Sequence, residues 1–490
     1  MKIRMAAALA AALALTACGT RLPDSAFESS VVASTADDTG EVTPGDELAP
    51  GDVTDTTLAN GTGSSNGSSS PGASPGVTTA GGTKAASGPN QASDVGITAT
   101  TITLGNITAE NGVLGDAFAP AVRGMRAWTA AINAAGGIGG RKVILKTCDD
   151  REDRARNLAC AQQLVERDKV FAMVGNNTRA HGGSAEYLNN AAVPVIGFPI
   201  TNAYNRYPHF WSVYPQGYKR DGKSVGNNGQ LMFTTGIFRW FKTQLGVTKA
   251  AVFNYDISES KQAGDGFAKG MELEGMSVSK YTVSFAAPSF DQAVADMQNK
   301  GVEIILDAMD DGANRKLCDA MQRRGFKAKA KVSTIVSMGD SVGNDYNATC
   351  RDSVYIPGQS IPYSETGVAE VAKFRAAYAK YQPGLELHQW ALESWGLGNM
   401  VAEGIKLGGA SPTRKGLESF LTSLRQYKAN GLYVGLEWGR GEYDKDKVED
   451  CFTVAHFEPA KNQWVQATSR FPFCYPDAHQ FSAPALEQGN

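Results

Sequence analysis

From Thr101 onward, short runs of β-branched and apolar residues alternate with longer stretches whose apolar positions recur at helical spacing. Such alternation is typical of βαβ units, in which helices cover both faces of a parallel sheet. A first series of these units ends at the run VPVIGF, and a second series ends at the run KVSTIVSM. Two successive series of similar size predict two α/β lobes rather than one closed barrel.

The same pattern predicts where the individual elements lie. In the first series we predict strands at residues 101–107, 142–147, 170–175 and 193–198, and helices at residues 118–134, 154–167 and 184–190. In the second series we predict strands at residues 249–255, 278–285, 302–309 and 331–338, and helices at residues 229–244, 264–273, 290–299 and 314–324. A further strand is predicted after this series, at residues 352–356. Three helical stretches follow between residues 368 and 427 with no strand between them, so they need an existing sheet to pack on. We expect the chain to return to the first lobe there.

The first hundred residues have a different composition. Residues 1–17 combine a short basic start with an Ala/Leu run that is too short to span a bilayer, and the segment ends in Leu15-Thr16-Ala17-Cys18. This ending resembles the lipobox of bacterial lipoproteins, which predicts a signal peptide at residues 1–18 with lipid on Cys18. A secretory signal that is cleaved elsewhere is the alternative. The folded part would then lie outside the cytoplasm, anchored to the membrane by its lipid.

Residues 19–96 are rich in Ser, Thr, Gly, Pro, Asp and Ala, and they contain almost no large aliphatic residue. Such a segment buries too little apolar surface to offset its ordering entropy, so we predict a disordered spacer. The net charge of −3 leaves no basic stripe to neutralise phosphates, and this argues against a nucleic-acid partner.

Six cysteines remain if Cys18 carries lipid, and an even number in an exported chain predicts disulfide bonds. Proximity in sequence favours the pairs Cys148–Cys160, Cys318–Cys350 and Cys451–Cys474. A zinc site is the competing interpretation, but the close C-x2-C spacing of such sites does not occur.

The glycine cluster at residues 136–140 follows a predicted helix and opens a predicted strand. A phosphate-binding loop has the reverse order, because its N–H groups are directed at the ligand by the helix that follows. We therefore interpret Gly136 and Gly137 as a helix C-cap and turn that need positive φ.

Asp149 and Asp150 follow the next predicted strand. At that edge of an open sheet a carboxylate could bind an ammonium or hydroxyl group. We favour the simpler interpretation that one of them caps the helix beginning near Asp153.

One motif suggests an enzyme. Residues 339–343, GDSVG, fit the pattern G-x-S-x-G directly after a predicted strand, so Ser341 is a candidate hydrolase nucleophile, with His388, His456 and His479 available as bases. The segment that follows makes a poor apolar helix, and matches to so short a pattern arise readily by chance.

Polar loops follow the predicted strands of both series. In the first lobe they lie at residues 106–115, 176–178 and 200–202, and in the second lobe at residues 256–258, 310–311 and 337. Backbone donors at a helix N-terminus behind such loops suit a ligand carboxylate. Their joint placement at one sheet edge in both lobes indicates a ligand site between the lobes.

Three stretches carry a resemblance to a known family. The runs NAAGGIGGRKVILKTCDDRED, VFAMVGNNTRAH and VPVIGFPITN, together with the late helix at residues 390–397, resemble the type I periplasmic solute-binding proteins, in the branched-chain amino-acid branch that feeds ABC importers. The resemblance covers residues 101–466. It implies two Rossmann-like doubly wound lobes joined by three hinge crossings, with residues 97–216 and 360–430 in the N-lobe and residues 217–359 and 431–480 in the C-lobe.

The polar loops and the resemblance together give candidate ligand-binding residues, which are Asn177, Thr178, Arg179, Ile200, Thr201, Asp256, Asp310 and Ser337. Family members use the first-lobe loops for a ligand carboxylate and acidic or aromatic second-lobe residues for the amine. Residues 258–263 hold no ring, so we expect the aromatic cover of the second lobe to be absent and the ligand to be small and polar, such as an amino acid or an amide.

We therefore expect a lipid-anchored, monomeric binding protein that delivers a small ligand to a membrane permease, with no catalytic residue, metal or cofactor. Closure of the hinge around the ligand would be the mechanism. The alternatives are a ligand sensor that signals to a membrane receptor, and a serine hydrolase that uses Ser341.

Overall fold

The computed structural model of the chain describes residues 88–215, 218–438 and 445–485. The predicted signal peptide with Cys18 and the predicted spacer up to residue 87 lie outside the described residues. Within the described part, no helix combines the length and the apolar character needed to cross a bilayer.

The first lobe is built on a five-stranded parallel sheet in the order β2-β1-β3-β4-β5. Its strands are β1 Thr101–Thr108, β2 Lys142–Asp149, β3 Ala172–Asn176, β4 Val195–Gly197 and β5 Phe210–Ser212. Its helices are α1 Gly115–Ala134, α2 Arg154–Gln162 and α3 Ala185–Asn190, together with the late helices α10 Ala369–Tyr381, α11 Gln389–Leu407 and α12 Arg414–Ser423.

The second lobe is built on a mixed sheet in the order β6-β14-β12-β11-β10-β9-β7-β8, with β13 paired to β12. Its strands are β6 Gln230–Thr234, β7 Lys249–Tyr255, β8 Ser277–Val283, β9 Ile304–Ala308, β10 Ala330–Val332, β11 Val354–Gly358, β12 Lys447–Glu458, β13 Gln463–Gln466 and β14 Phe473–Pro484. Its helices are α4 Gly236–Leu245, α5 Ser258–Leu273, α6 Asp291–Lys300, α7 Asp311–Arg324, α8 Val342–Asp345 and α9 Ala348–Arg351. The predicted α/β class with two doubly wound lobes is confirmed.

The return of the chain to the first lobe is also confirmed. Helix α11 lies against α1, where the Trp128 indole donates a hydrogen bond of 3.0 Å to the Asn399 side chain. The helices approach so closely that a Cβ on Gly124 would lie 2.2 Å from the Ala391 carbonyl oxygen. Only glycine allows this contact, so α11 covers the face that the first βαβ series leaves open.

Two predicted elements of the second lobe are wrong in part. The helix predicted at residues 229–244 starts only at Gly236, because residues 230–234 form strand β6 and pair with β14 near the end of the chain. The strand predicted at residues 331–338 ends at Val332, and residues 335–337 form a short 3-10 turn. Distant pairing overrides local helical spacing in the first case.

Residues at the end of the predicted spacer contact the first lobe. The Gln91 N–H donates to the Ala410 carbonyl oxygen at 2.8 Å, and the Asp94 carboxylate accepts from the Arg414 N–H at 2.7 Å. Ordered contacts with the folded part therefore begin before residue 97.

The glycine turn has the predicted geometry. Gly136 and Gly137 follow α1 with φ of 96° and 78°, and the Gly137 N–H closes the helix end by donating to the Ile132 carbonyl oxygen at 2.8 Å. The cluster is a C-terminal helix turn, as interpreted from the sequence.

The three disulfide pairs favoured by sequence proximity are confirmed. Each bond lies within one lobe, and the pairs are Cys148–Cys160 in the first lobe, and Cys318–Cys350 and Cys451–Cys474 in the second. Each therefore constrains a lobe without restricting the motion of one lobe against the other.

Candidate functional site

A cavity of about 460 Å³ lies between the two lobes, at the carboxyl ends of their parallel strands. From the first lobe it is lined by Leu114, Phe118, Arg179, Pro199, Ile200, Asn202, Asn205, Tyr214 and Trp390. From the second lobe it is lined by Leu231, Phe233, Tyr255, Ile257, Glu259, Ser260, Gln262, Ala263, Phe267, Phe285, Ala308, Met309, Asp310, Thr334, Ile335 and Val336.

Aromatic rings from both lobes form much of the cavity wall. The rings are Phe118, Tyr214 and Trp390 from the first lobe, and Phe233, Tyr255, Phe267 and Phe285 from the second. The expectation that the second lobe offers no ring is therefore wrong. The rings come from strands β6 and β7, from helix α5 beyond residue 263 and from the loop after β8, and not from residues 258–263.

Arg179 is the only cation among the described residues that line the cavity. Its guanidinium lies 4.9 Å from the ring centroid of Phe285 on the opposite lobe, a distance at which the ring face attracts the cation. Its Nε atom is buried and has no hydrogen-bond acceptor among the described residues. Arg179 therefore gives the first-lobe wall of the cavity its positive charge.

Glu152 holds Arg179 from behind. One Glu152 carboxylate oxygen lies 3.4 Å from Arg179 Nη1, and the other accepts a hydrogen bond of 2.5 Å from the Leu114 N–H. Burial raises the pKa of Glu152, while the Leu114 N–H and the Arg179 guanidinium act in the opposite direction. Glu152 therefore links the backbone at Leu114, which lines the cavity, to the Arg179 guanidinium.

Two carboxylates stand on the second-lobe wall. Asp310 caps α7 by accepting from the Ala313 N–H at 3.2 Å, and it also accepts from the Tyr255 hydroxyl. Glu259 lies in the first turn of α5 and accepts from the Ser258 hydroxyl at 3.2 Å. The cavity thus has its cation on one lobe and its acidic groups on the other.

The structure brings three of the predicted ligand-binding residues to the cavity wall, which are Arg179, Ile200 and Asp310. The other five serve the local backbone or the core of a lobe. Thr178 accepts from the Ala180 N–H, Thr201 caps the turn at Asn202–Asn205, and Asp256 accepts from the Phe285 N–H. The side chains of Asn177 and Ser337 are buried.

Asp149 and Asp150 bind neighbouring loops, and the prediction that one of them caps α2 is wrong. The N-cap is Asp153, which accepts from the Arg156 N–H at 2.8 Å. Asp149 accepts from the Glu110 N–H at 3.0 Å, and the buried Asp150 accepts from the Asn157 side chain at 2.7 Å. Both carboxylates fix the loops on which the first-lobe wall of the cavity rests.

Ser341 does not have the geometry of a hydrolase nucleophile. It has ordinary helical φ and ψ of −64° and −24° before a four-residue helix, without the strained turn that exposes such a serine. Both ring nitrogens of His388 are engaged by backbone groups, since Nδ1 accepts from the Trp390 N–H at 3.1 Å and Nε2 lies 3.2 Å from the Val336 carbonyl oxygen.

The two lobes touch at the rim of the cavity. Gln262 Nε2 lies 3.4 Å from Asn202 Oδ1 across the cleft, and the contact between Arg179 and Phe285 is a second contact between the lobes. Three chain segments connect the lobes, which are residues 213–229, 359–368 and 424–446, apart from residues 216–217 and 439–444 that lie outside the described ranges. This arrangement allows the lobes to open and close as a hinge.

Comparison with known proteins agrees with this geometry. The family described as periplasmic binding protein matches residues 101–462. No curated protein sequence matches the chain at a significant level.

Solved structures share the fold at low sequence identity. A fatty acid ABC transporter substrate-binding protein from Thermomonospora curvata has a TM-score of 0.61 at 14% identity, covering 78% of this chain and 94% of that chain. A solute-binding protein of an ABC transporter from R. palustris, solved with benzoate, has a TM-score of 0.57 at 14% identity, covering 77% and 97%. A protein from Rhodopirellula baltica, described as a possible leucine/isoleucine/valine-binding protein, has a TM-score of 0.56 at 12% identity, covering 75% and 96%.

The matched family spans both lobes and the hinge between them, and the cavity lies where such lobes enclose a solute. The chain therefore belongs to the periplasmic binding protein family, and its two lobes have the type I fold of that family.

Proposed function

We propose that the cavity binds a solute that combines an apolar body, aromatic or aliphatic, with one carboxylate. The single observation that carries this proposal is the placement of Arg179 as the only cation of a cavity whose described walls are mostly apolar and aromatic. The cavity volume of about 460 Å³ is in the range of sites that enclose a small molecule.

Arg179 supplies the polar part of the recognition. A guanidinium offers parallel N–H groups that match the two oxygens of a carboxylate, and such charge-assisted pairs are strong where water is excluded. The Arg179 side chain lines the cavity and is 24% exposed, which leaves part of it accessible to a ligand carboxylate. Glu152 occupies one edge of the guanidinium and fixes its direction.

The rings supply the apolar part. Burial of apolar ligand surface contributes about 25 cal/mol per Å², and Phe285 and Trp390 line the cavity from opposite lobes. Contacts from both lobes favour the closed form, because a ligand shifts a conformational equilibrium only by binding one form more tightly. The similar protein from Thermomonospora curvata is named for a fatty acid and the one from R. palustris was solved with benzoate, and both of these ligands have this combination of groups.

The small polar ligand expected from the sequence, an amino acid or an amide, is the second candidate. Asp310 and Glu259 on the second-lobe wall would face the ammonium group of an amino acid. Asp310, however, already accepts from the Tyr255 hydroxyl and the Ala313 N–H, which leaves Glu259 as the freer partner. The similar protein from Rhodopirellula baltica, described as possibly binding leucine, isoleucine and valine, agrees with this candidate.

The ligand would be captured outside the cytoplasm and delivered to the permease of an ABC importer. Lipid on Cys18 would anchor the protein to the membrane, and residues 19–87 would let the lobes reach the permease. Metabolic labelling with a lipid precursor tests the anchor: Cys18→Ala should abolish labelling and release the protein from the membrane.

A thermal-shift screen followed by calorimetry tests the ligand class. The protein is freed of carried-over ligand by unfolding and refolding, and is then screened against benzoate, phenylacetate and octanoate, their primary amides, leucine and phenylalanine. A ligand that binds only the folded state raises the melting temperature with dose. We expect each carboxylate to raise it more than its primary amide does at the same concentration. A response to leucine with none to the three carboxylates would overturn the proposed class in favour of the amino-acid candidate.

A further inference from the structure

One carboxylate, Glu393, lies where all three connections between the lobes meet. Glu393 belongs to helix α11 of the first lobe and is fully buried. Its Oε2 atom accepts a hydrogen bond of 2.5 Å from the Tyr214 hydroxyl, and its Oε1 atom accepts one of 2.5 Å from the Ser360 hydroxyl. Its backbone carbonyl oxygen accepts one of 2.6 Å from the Tyr433 hydroxyl.

Each of these partners belongs to a different connection. Tyr214 lies in the first, Ser360 in the second and Tyr433 in the third. The second and third connections also pair with each other, since the Ile361 N–H donates to Leu432 at 2.8 Å. A rotation of one lobe against the other therefore has to rearrange the groups around this carboxylate.

Burial raises the pKa of Glu393 to about 7, while the Ser360 and Tyr214 hydroxyls act in the opposite direction. The first and third connections face it with the phenols of Tyr214 and Tyr433, whose pKa burial raises well above the ordinary value, so both phenols stay neutral. On its own helix, burial lowers the pKa of His388 to about 4, so this imidazole is neutral near pH 7. Among the described residues, the second connection and helix α1 bring no charged group that acts on Glu393.

We propose that Glu393 is a positioning residue of the hinge, and that it takes up a proton as the lobes close. In this structure, whose lobes touch at the rim of the cavity, the carboxyl group is removed from water and no cation acts on it, which favours the neutral form. Opening separates the connections around it and admits water, which favours the ionised form. The same proton must then shift the lobes toward closure, because the coupling between two equilibria is reciprocal.

This coupling determines which form of the protein acid favours and which form base favours. Acid keeps Glu393 protonated and favours the closed form, and base favours the open form. The inference rests on the capture of a solute by lobe closure in the proposed function, but not on the class of solute. In acid the protein would hold its solute more tightly, and in base it would release it more readily.

Small-angle X-ray scattering of the mature protein without any solute tests the inference. The radius of gyration is measured from about pH 5.5 to about pH 8.5, across the range where the carboxyl group titrates. We expect it to increase with pH, in the interval between the ordinary pKa of a glutamate and the value of about 7 that burial gives Glu393. In Glu393→Gln we expect a compact form over the whole range, because the amide cannot ionise.

Glu370→Gln is the matched control. Glu370 is a buried glutamate on α10 that accepts from the Trp395 indole and the Asn399 amide, both on α11, and no hydrogen bond among the described residues joins its carboxylate to one of the three connections. This variant should keep the pH profile of the wild type. A wild-type radius that does not change with pH, or a Glu393→Gln profile equal to that of the wild type, would overturn the inference.

Tyr214→Phe gives a second test that does not need Glu393→Gln to fold. It removes a donor to the ionised carboxylate, so the midpoint should move to higher pH. An unchanged midpoint in this variant would also overturn the inference. Since no solute is present, failure of the proposed ligand class would leave these outcomes unaffected.

Discussion

Replacement of Arg179 by methionine should separate the two parts of ligand recognition. Methionine keeps an unbranched apolar side chain, and it removes the only cation among the described residues that line the cavity. A carboxylate ligand should therefore lose affinity, while the neutral amide of the same ligand should bind the variant and the wild type about equally.

The size of the loss follows from the surroundings of Arg179. Two unit charges 4 Å apart attract by about 4 kcal/mol at an effective dielectric constant of about 20. Glu152 lies 3.4 Å from the guanidinium and the Arg179 side chain is 24% exposed, and both reduce this attraction. We therefore expect the carboxylate to lose about 2 kcal/mol of binding free energy, which is roughly a 30-fold increase in Kd.

Calorimetric titration of the strongest carboxylate from the screen, beside its primary amide, measures this difference. Arg126→Met serves as the control, because Arg126 pairs with Glu110 on the surface of the first lobe and does not line the cavity. Equal losses for the carboxylate and the amide would refute the reasoning, since they would indicate a packing defect. An unchanged carboxylate affinity would refute it as well.

Three further predictions concern stability. Lys331→Met should lower the free energy of unfolding in urea by about 3–5 kcal/mol, because it leaves the Asp307 carboxylate buried without its cation. Adding Asp307→Asn to this variant should recover part of the loss. A double variant that loses as much stability as Lys331→Met, or more, would contradict this. Replacing Cys318 and Cys350 by alanine should cost about 3–4 kcal/mol, since the bond closes a separation of 32 residues; an unchanged melting temperature would contradict this. Burial raises the pKa of Glu393 in the folded protein from 4.5 to about 7. The stability that this group contributes is therefore fully present below pH 4.5 and is lost as pH rises through 7. Glu393→Gln should flatten the melting-temperature profile between these two pH values.

The βαβ part of the fold could be predicted because parallel strands are buried on both faces and read as continuous apolar runs. Strand β3, which is buried along its whole length, is one example. Strand β6 could not be predicted, because its partner β14 lies far along the chain, as in the pairing of Thr234 with Gln480. Local spacing contains no information about such a partner.

The site could be predicted only as far as loop position allows. The loops after the first-lobe strands were correctly placed beside the cavity, but the order of residues within a loop does not say which side chain points outward. Thr178 turns inward to accept from a backbone N–H, while the adjacent Arg179 reaches the cavity. The aromatic rings of the cavity were not predicted. Tyr255 and Phe285 end two predicted strands, and this position at the ligand-binding edge of the sheet could have identified them.

A crystal structure of the protein with the strongest carboxylate from the screen tests the proposed site most directly. We predict density in the cavity between the lobes, with the carboxylate within hydrogen-bonding distance of the Arg179 guanidinium and the apolar body between Trp390 and Phe285. A ligand bound outside this cavity, or bound within it with Arg179 unengaged, would contradict the proposed recognition.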